Sequence, residues 1–262
     1  MQYKRLLNLG IIIYPQHLLG NKFNKRRQLM FVFFNNKKAV VKNYANGGRS
    51  TRNFINEGTL DKIASQIKKG DYLLIQFGHN DSSNTAGYIE DRHVPLGTPD
   101  ANGIYPVTST KKAPTPASYA DKYGKEFYSW ESGTYKWFLK QYIEVARKVG
   151  ATPILVTPVA RLNFRGDLIR RDMHHDSTDK NSASQPTSTG NAYVKAVYQL
   201  AKEENVLLID AFEISAKLYE AGRSVGKKYP PQLFGGDVTH NNKLGGFILA
   251  GLIAKDIKDK NI

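Results

Sequence analysis

The chain has 262 residues, 40% of them hydrophobic, which is enough for one α/β domain with a sizeable core. It contains no cysteine, so disulfides, thiolate metal sites and a cysteine nucleophile are excluded, and no stretch approaches membrane-spanning length. A formal net charge of +15 favours a polyanionic partner such as nucleic acid or an acidic polysaccharide, but no nucleic-acid motif accompanies it.

Residues 1–38 are atypical. Met1 to Arg5 followed by the apolar run Leu6 to Ile13 has the outline of a signal peptide, but Asn8 interrupts the run and no small-residue cleavage site follows. No export signal is assigned, and the compartment stays open. The other reading is a degenerate first strand ending at Ile13, with Leu29 to Phe34 closing a helix. Ala39 to Tyr44 reads as a strand because β-branched residues cluster there. Asn46-Gly47-Gly48-Arg49-Ser50 is a turn that needs glycine's backbone freedom. Ser50 then opens a helix to about Lys68, with Ile55, Leu60, Ile63 and Ile67 on one face.

Asp71 to Ile75 is a short apolar run and reads as a buried strand. It delivers Gln76-Phe77-Gly78-His79-Asn80-Asp81 to the carboxyl edge of a sheet, where open α/β folds bind ligands. A side-chain amide there can donate to a developing oxyanion. The competing reading is that Gly78 and Asn80 only shape the turn. Residues 82–134 are rich in Pro, Gly, Ser and Thr and read as an insertion loop beside that edge.

Trp137 to Val149 is an amphipathic helix, and Thr152 to Val156 a strand leading to Thr157-Pro158-Val159-Ala160-Arg161. Asp172 to Thr189 is polar loop. His174, His175 and Asp176 lie within it, but adjacent histidines lack a proper ligand set, so they read as solvated surface and no metal is assigned. Ala192 to Asn205 is a helix, Val206 to Asp210 a strand, Ile214 to Ala221 a helix, and Lys243 to Lys258 the last one. Alternation of strands and helices argues for a parallel sheet covered on both faces, in one domain.

Asp237 and His240 stand three apart in a Gly-flanked loop before that last helix. A carboxylate so placed can hold one imidazole nitrogen and leave the other free as general base. An incidental histidine beside a capping aspartate is the alternative. Gly48 offers an unshielded backbone N–H and Asn80 an amide, together an oxyanion hole.

Asn46-Gly47-Gly48-Arg49-Ser50-Thr51, Gly78-His79-Asn80-Asp81 and Asp237-Val238-Thr239-His240 resemble three sequence blocks of the SGNH (GDSL-like) hydrolases. Within that family they look like the rhamnogalacturonan acetylesterase group, and Thr157-Pro158-Val159-Ala160-Arg161 with Phe164 adds to the likeness. The match runs from about residue 39 to the C-terminus, leaving residues 1–38 apart from a hydrolase-like domain over 39–262. The resemblance implies a flavodoxin-like three-layer α/β/α sandwich with a central parallel sheet. It also implies metal-free, cofactor-free ester hydrolysis. His240 would act as base, Asp237 would orient it, and Gly48 and Asn80 would hold the oxyanion. The implied partner is an acetylated acidic polysaccharide or oligosaccharide of the pectic type, which suits the positive charge.

The family's nucleophile is a serine in a Gly-Asp-Ser block closing the first strand. Here no Ser or Thr precedes Ser50, and Ile11-Ile12-Ile13-Tyr14-Pro15-Gln16-His17 occupies the place. Ser50 itself belongs to the Gly48 block and reads as a helix start. The nucleophile is therefore unknown. The oligomeric state is also not legible.

Overall fold

The computed structural model describes residues 4–9, 33, 39–83, 92–109, 133–171, 191–226 and 230–262. Five parallel strands form one sheet in the order β2-β1-β3-β4-β7: β1 Lys4–Leu9, β2 Ala39–Asn43, β3 Tyr72–Gln76, β4 Thr152–Val156 and β7 Leu207–Ile209. β1 lies between β2 and β3, with Leu6 in register with both Val41 and Tyr72, and Leu9 with Ile75. The Met1 to Ile13 run thus supplies an inner strand of the sheet. The strand is described only to Leu9, and positions 10–13 lie outside the described residues. The Leu29 to Phe34 helix lies outside them too, apart from Phe33.

β3 and β4 are buried on both faces, as the inner strands of a parallel sheet covered by helices require. Alternation sorts their side chains. Leu73, Ile75 and Leu155 face a layer built from α1 Thr51–Asn56, α2 Thr59–Ala64, α3 Tyr135–Lys148 and α4 Ala192–Glu203. Leu74, Ile154, Val156 and Ile209 face α6 Lys243–Asp259 and the start of α5 Ala211–Val225. The result is a three-layer α/β/α sandwich, as expected.

Three local expectations change. The Ser50 to Lys68 helix is two short helices, because Gly58 adopts a left-handed φ of 71° between them. The apolar positions keep one face across the break, and this hid it. The helix after β7 starts at Ala211 rather than Ile214, because the Asp210 side chain accepts the N–H of Glu213 as its cap. Third, a small antiparallel hairpin, β5 Phe164–Arg165 and β6 Leu168–Ile169, follows the Thr157 to Arg161 segment. Arg171 anchors it to Glu213 and Glu220 of α5, and Arg223 of α5 pairs with Asp167.

In the 82–134 stretch, the described residues carry no helix or strand beyond a bridge between Ser109 and Gly133. Among the described residues, no helix is long and apolar enough to cross a membrane.

Candidate active site

β3 ends at Gln76, whose amide donates to the Thr157 carbonyl at 2.8 Å and levels the ends of β3 and β4. The chain then turns at Gly78, which has φ 139° and no room for a Cβ against Pro158. Inside the turn sits Asp81, fully buried. Its Oδ1 accepts the Thr51 N–H at 2.8 Å and the Thr51 hydroxyl at 2.6 Å, and its Oδ2 accepts the Gly78 N–H at 3.0 Å. One carboxylate therefore joins the start of α1 to the exit of β3. Burial pushes this carboxyl up to about 6 even though these donors favour its charged form.

Three buried tyrosines hold the same corner from below. Tyr135 donates to the Phe77 carbonyl at 2.9 Å, Tyr142 to the Thr51 carbonyl at 2.6 Å, and Tyr193 to the Val94 carbonyl at 2.8 Å. Burial raises all three hydroxyl pKa values well above normal, and the Asp81 charge adds to it, so they stay protonated donors.

Ser50 is the N-cap of α1, with a reciprocal pair of bonds to Asn53. It is fully buried and committed to that role. The sequence reading of Ser50 as a helix start holds. Asn80 donates its amide to the Arg49 carbonyl at 3.2 Å, which sets it beside the Gly48 turn. Gly48 has φ 76°, and a Cβ there would stand 3.6 Å from the Arg92 guanidinium. The two expected oxyanion donors are thus brought together, one residue apart along the Gly48-Arg49 turn.

Asp237 and His240 form a hydrogen-bonded pair, Nδ1 to Oδ2, at 2.7 Å. Asp237 Oδ1 also accepts the N–H groups of Thr239 and His240 at 2.8 and 2.6 Å. Partial burial is the largest influence on Asp237 and would raise its pKa, but the hydrogen bonds from His240 and Thr239 outweigh it and hold the carboxyl below its usual value. The Nδ1 contact fixes the ring and leaves Nε2 for proton transfer. Both side chains are about half exposed, as groups open to a substrate should be.

The loop is pinned at both ends. Leu162 donates its N–H to the Val238 carbonyl at 2.9 Å, and Asn242 caps α6 with Oδ1 accepting from Leu244 and Gly245. Gly245 must be glycine, since a Cβ there would overlap the Leu233 carbonyl oxygen.

His79 stands at the β3 corner, which Pro158 against Gly78 and the Leu162–Val238 bond tie to this loop. Loss of hydration lowers its pKa well below normal, and the charges of Arg161 and His240 lower it further. The two imidazoles and the Arg161 guanidinium are therefore within electrostatic reach at one sheet edge. A neutral His79 adds no second positive charge when His240 takes a proton.

Sequence reasoning quoted Asp81, His79 and Arg161 but gave them no role. The tyrosines it missed altogether, because their partners lie far away in the chain. No nucleophilic hydroxyl is brought to Nε2 of His240 among the described residues, and residues 10–32, which follow β1, contain no Ser, Thr or Cys. His174, His175 and Asp176 lie outside the described residues. Within them, no group of three or more His, Asp or Glu side chains could hold a metal ion.

No family model matches the chain. It is 33% identical over 221 residues to a probable rhamnogalacturonan acetylesterase of Bacillus subtilis, YesY, covering 84% of this chain and 76% of that protein. It is 31% identical over 233 residues to the rhamnogalacturonan acetylesterase RhgT of the same organism, covering 84% and 75%. Among solved structures, Bacillus subtilis YxiM aligns over 100% of this chain and 58% of its own, at TM-score 0.64 and 21% identity. A catalytic mutant of the acetylxylan esterase Axe2 from Geobacillus stearothermophilus aligns over 98% and 93%, at TM-score 0.53 and 16% identity, and shares the fold. With a third of its residues identical to YesY over most of both chains, this protein belongs to the rhamnogalacturonan acetylesterase family of SGNH (GDSL-like) hydrolases.

Proposed function

We propose that the chain carries the deacetylation site of a carbohydrate esterase for acetylated pectic polysaccharide, with its serine block missing from the sequence as it stands. The observation that carries this reading is the hydrogen-bonded Asp237–His240 pair, at the same sheet edge as Asn80 and the Gly48 turn. With a serine supplied, His240 Nε2 takes its proton as Oγ attacks the acetyl carbonyl. The oxyanion is held by the Gly48 N–H and the Asn80 amide. The proton then passes to the departing sugar oxygen, and water releases acetate from the acyl-enzyme in a second, mirrored step. The relatives' names support this substrate class. The +15 charge suits a galacturonate backbone.

A second reading has a specific observation in its favour. The absence of Ser, Thr and Cys before Ser50 suits a non-catalytic relative that only binds polysaccharide. Acetate release from acetylated pectic polysaccharide separates the two, comparing the chain as it stands with His240→Ala and with Ile11→Asp combined with Ile12→Ser. The double change puts Gly-Asp-Ser directly after β1, using Gly10 as it is. The deacetylase reading expects release from the double variant and its loss when His240→Ala is added. A folded double variant without activity favours the binding protein, and His240-dependent release from the unaltered chain would reveal a nucleophile elsewhere.

A further inference from the structure

A groove of 280 Å³ runs along the seam between α1–α2 and α3, with neither Asp237 nor His240 in its lining. Ile55, Leu60 and Phe138 form its apolar floor, Trp137 its upper wall, and Gln141, Glu144 and Lys148 its polar margin. The volume is close to the lower end of ligand pockets, about 300 Å³, so it suits a short stretch of chain rather than a whole oligomer.

Both walls begin at the candidate active site. α1 starts at Thr51, bonded to Asp81, and α3 starts at Tyr135, bonded to the Phe77 carbonyl. α3 links the carboxyl end of β3 to the amino end of β4, so it descends antiparallel to the strands. From Trp137 to Lys148 the groove covers about 16 Å along the helix axis.

Its lower end is cationic. Lys148 lines it, while its neighbour Arg147 is turned away to Glu204. Lys69 packs its stem where a Gly150 Cβ would sit, directly below the helix end, with exposed Lys68 beside it. Glu144 is the one carboxylate on the margin. It stands four residues from Lys148, while Lys140 on its other side is paired with Glu204 at 2.7 Å. An aromatic wall for the C–H face of a sugar ring, an amide for hydroxyls, and ammonium groups for carboxylates are the elements that recognise an acidic glycan. Gln141 gives its N–H to the Trp137 carbonyl at 3.2 Å and keeps its carbonyl oxygen as an acceptor.

We propose that the α1–α3 groove is a remote binding subsite for the uronate backbone of an acidic polysaccharide leading away from the active-site edge. The choice of ligand rests on the deacetylase reading above, but the site rests on the groove.

The test uses the full chain and de-esterified oligogalacturonate, which has no acetyl group, with binding followed by calorimetry. Neutral xylo-oligosaccharide and an apolar dye serve as competing occupants. Lys148→Glu, an exposed change that leaves the core intact, is expected to weaken oligogalacturonate binding about tenfold and to reduce its salt dependence. Lys148→Arg should retain binding. Trp137→Ala should weaken it by a similar factor, with Trp137→Phe between the two, while His240→Ala leaves it unchanged.

Oligogalacturonate binding that is absent, or indifferent to both Lys148→Glu and Trp137→Ala, overturns the proposal. So does neutral sugar or dye binding equally well at the groove. If the groove variants act as expected while no variant ever releases acetate, the subsite stands and the deacetylase reading fails. If acetate is released but oligogalacturonate ignores the groove, the reverse holds.

Discussion

Two corners of one sheet edge carry the candidate machinery, and they are built in opposite ways. The Gly48–Asp81 corner is buried, and its bonds are long-range: Asp81 reaches back to Thr51, while Tyr142 and Tyr193 come from helices far along the chain. The Asp237–His240 corner is half exposed, and its side-chain bonds are short-range, within the loop and to the cap of α6, with the Leu162 N–H to the Val238 carbonyl as a long-range backbone tie. In the proposed reading, oxyanion donors must be rigid before charge develops, and a corner fixed through the core suits that role. In the same reading, a base that meets substrate and proton needs open space, and a half-exposed loop suits it. Stability changes should therefore fall mainly on the first corner.

The largest should come from Asp81→Ala. It leaves three buried donors unpaired, at about 1–3 kcal/mol each, and it removes a desolvated carboxylate whose relief offsets part of that cost. A net loss of about 3 kcal/mol at neutral pH is expected from urea unfolding. A loss below about 1 kcal/mol would mean the clamp does not hold the corner.

The same residue gives a pH signature. Its folded pKa of about 6 lies above the ordinary value of 3.8. The stabilisation it contributes is therefore fully present below the ordinary value and is lost as pH rises through about 6. Two pKa units correspond to about 3 kcal/mol across that window. Asp81→Asn should flatten this part of the stability–pH curve, and an unchanged curve would assign the titration to another group.

What the sequence made legible follows the same division. Apolar runs announced β3 and β4 because strands buried on both faces have no alternation to obscure them. The Gly48, Gly78 and Asp237 loops were legible because glycine and short polar residues mark turns locally. The tyrosine clamp was not, since a hydroxyl's acceptor 58 to 99 residues away leaves no local pattern. Gly58 was visible as a residue but not as a helix break, because Ile55, Leu60 and Ile63 keep facing the core across it. The missing hydroxyl before Ser50 was plain from composition alone.

Within the second corner, the changes that matter most should lie behind the Asp237–His240 pair. Gly245→Ala drives a methyl into the Leu233 carbonyl, so α6 or the loop must shift, and overpacking of this kind costs about 2 kcal/mol. Asn242→Ala removes the α6 cap and the bonds to the Gln232 and Phe234 carbonyls, for about 1 kcal/mol. Thermal unfolding read beside the His240 ring signals in NMR would show whether the loop moves while the core remains. Signals unaltered in both variants would break the claim that α6 positions the pair.

Asp237→Asn should change stability least. Its carboxyl is half exposed, so solvent screens the pair, and exposed pairs contribute about 0.2–1 kcal/mol. Its lowered pKa means that this small contribution is present above the ordinary carboxylate range and fades as pH falls through the folded value. The effect on the ring should be larger than the effect on the fold. With an amide in place of the carboxylate, His240 Nδ1 loses its charged partner, and the His240 ring signals in NMR should shift. A stability loss of about 3 kcal/mol with unmoved His240 ring signals would invert the comparison. It would make Asp237 a structural brace rather than the group that readies His240 as a base.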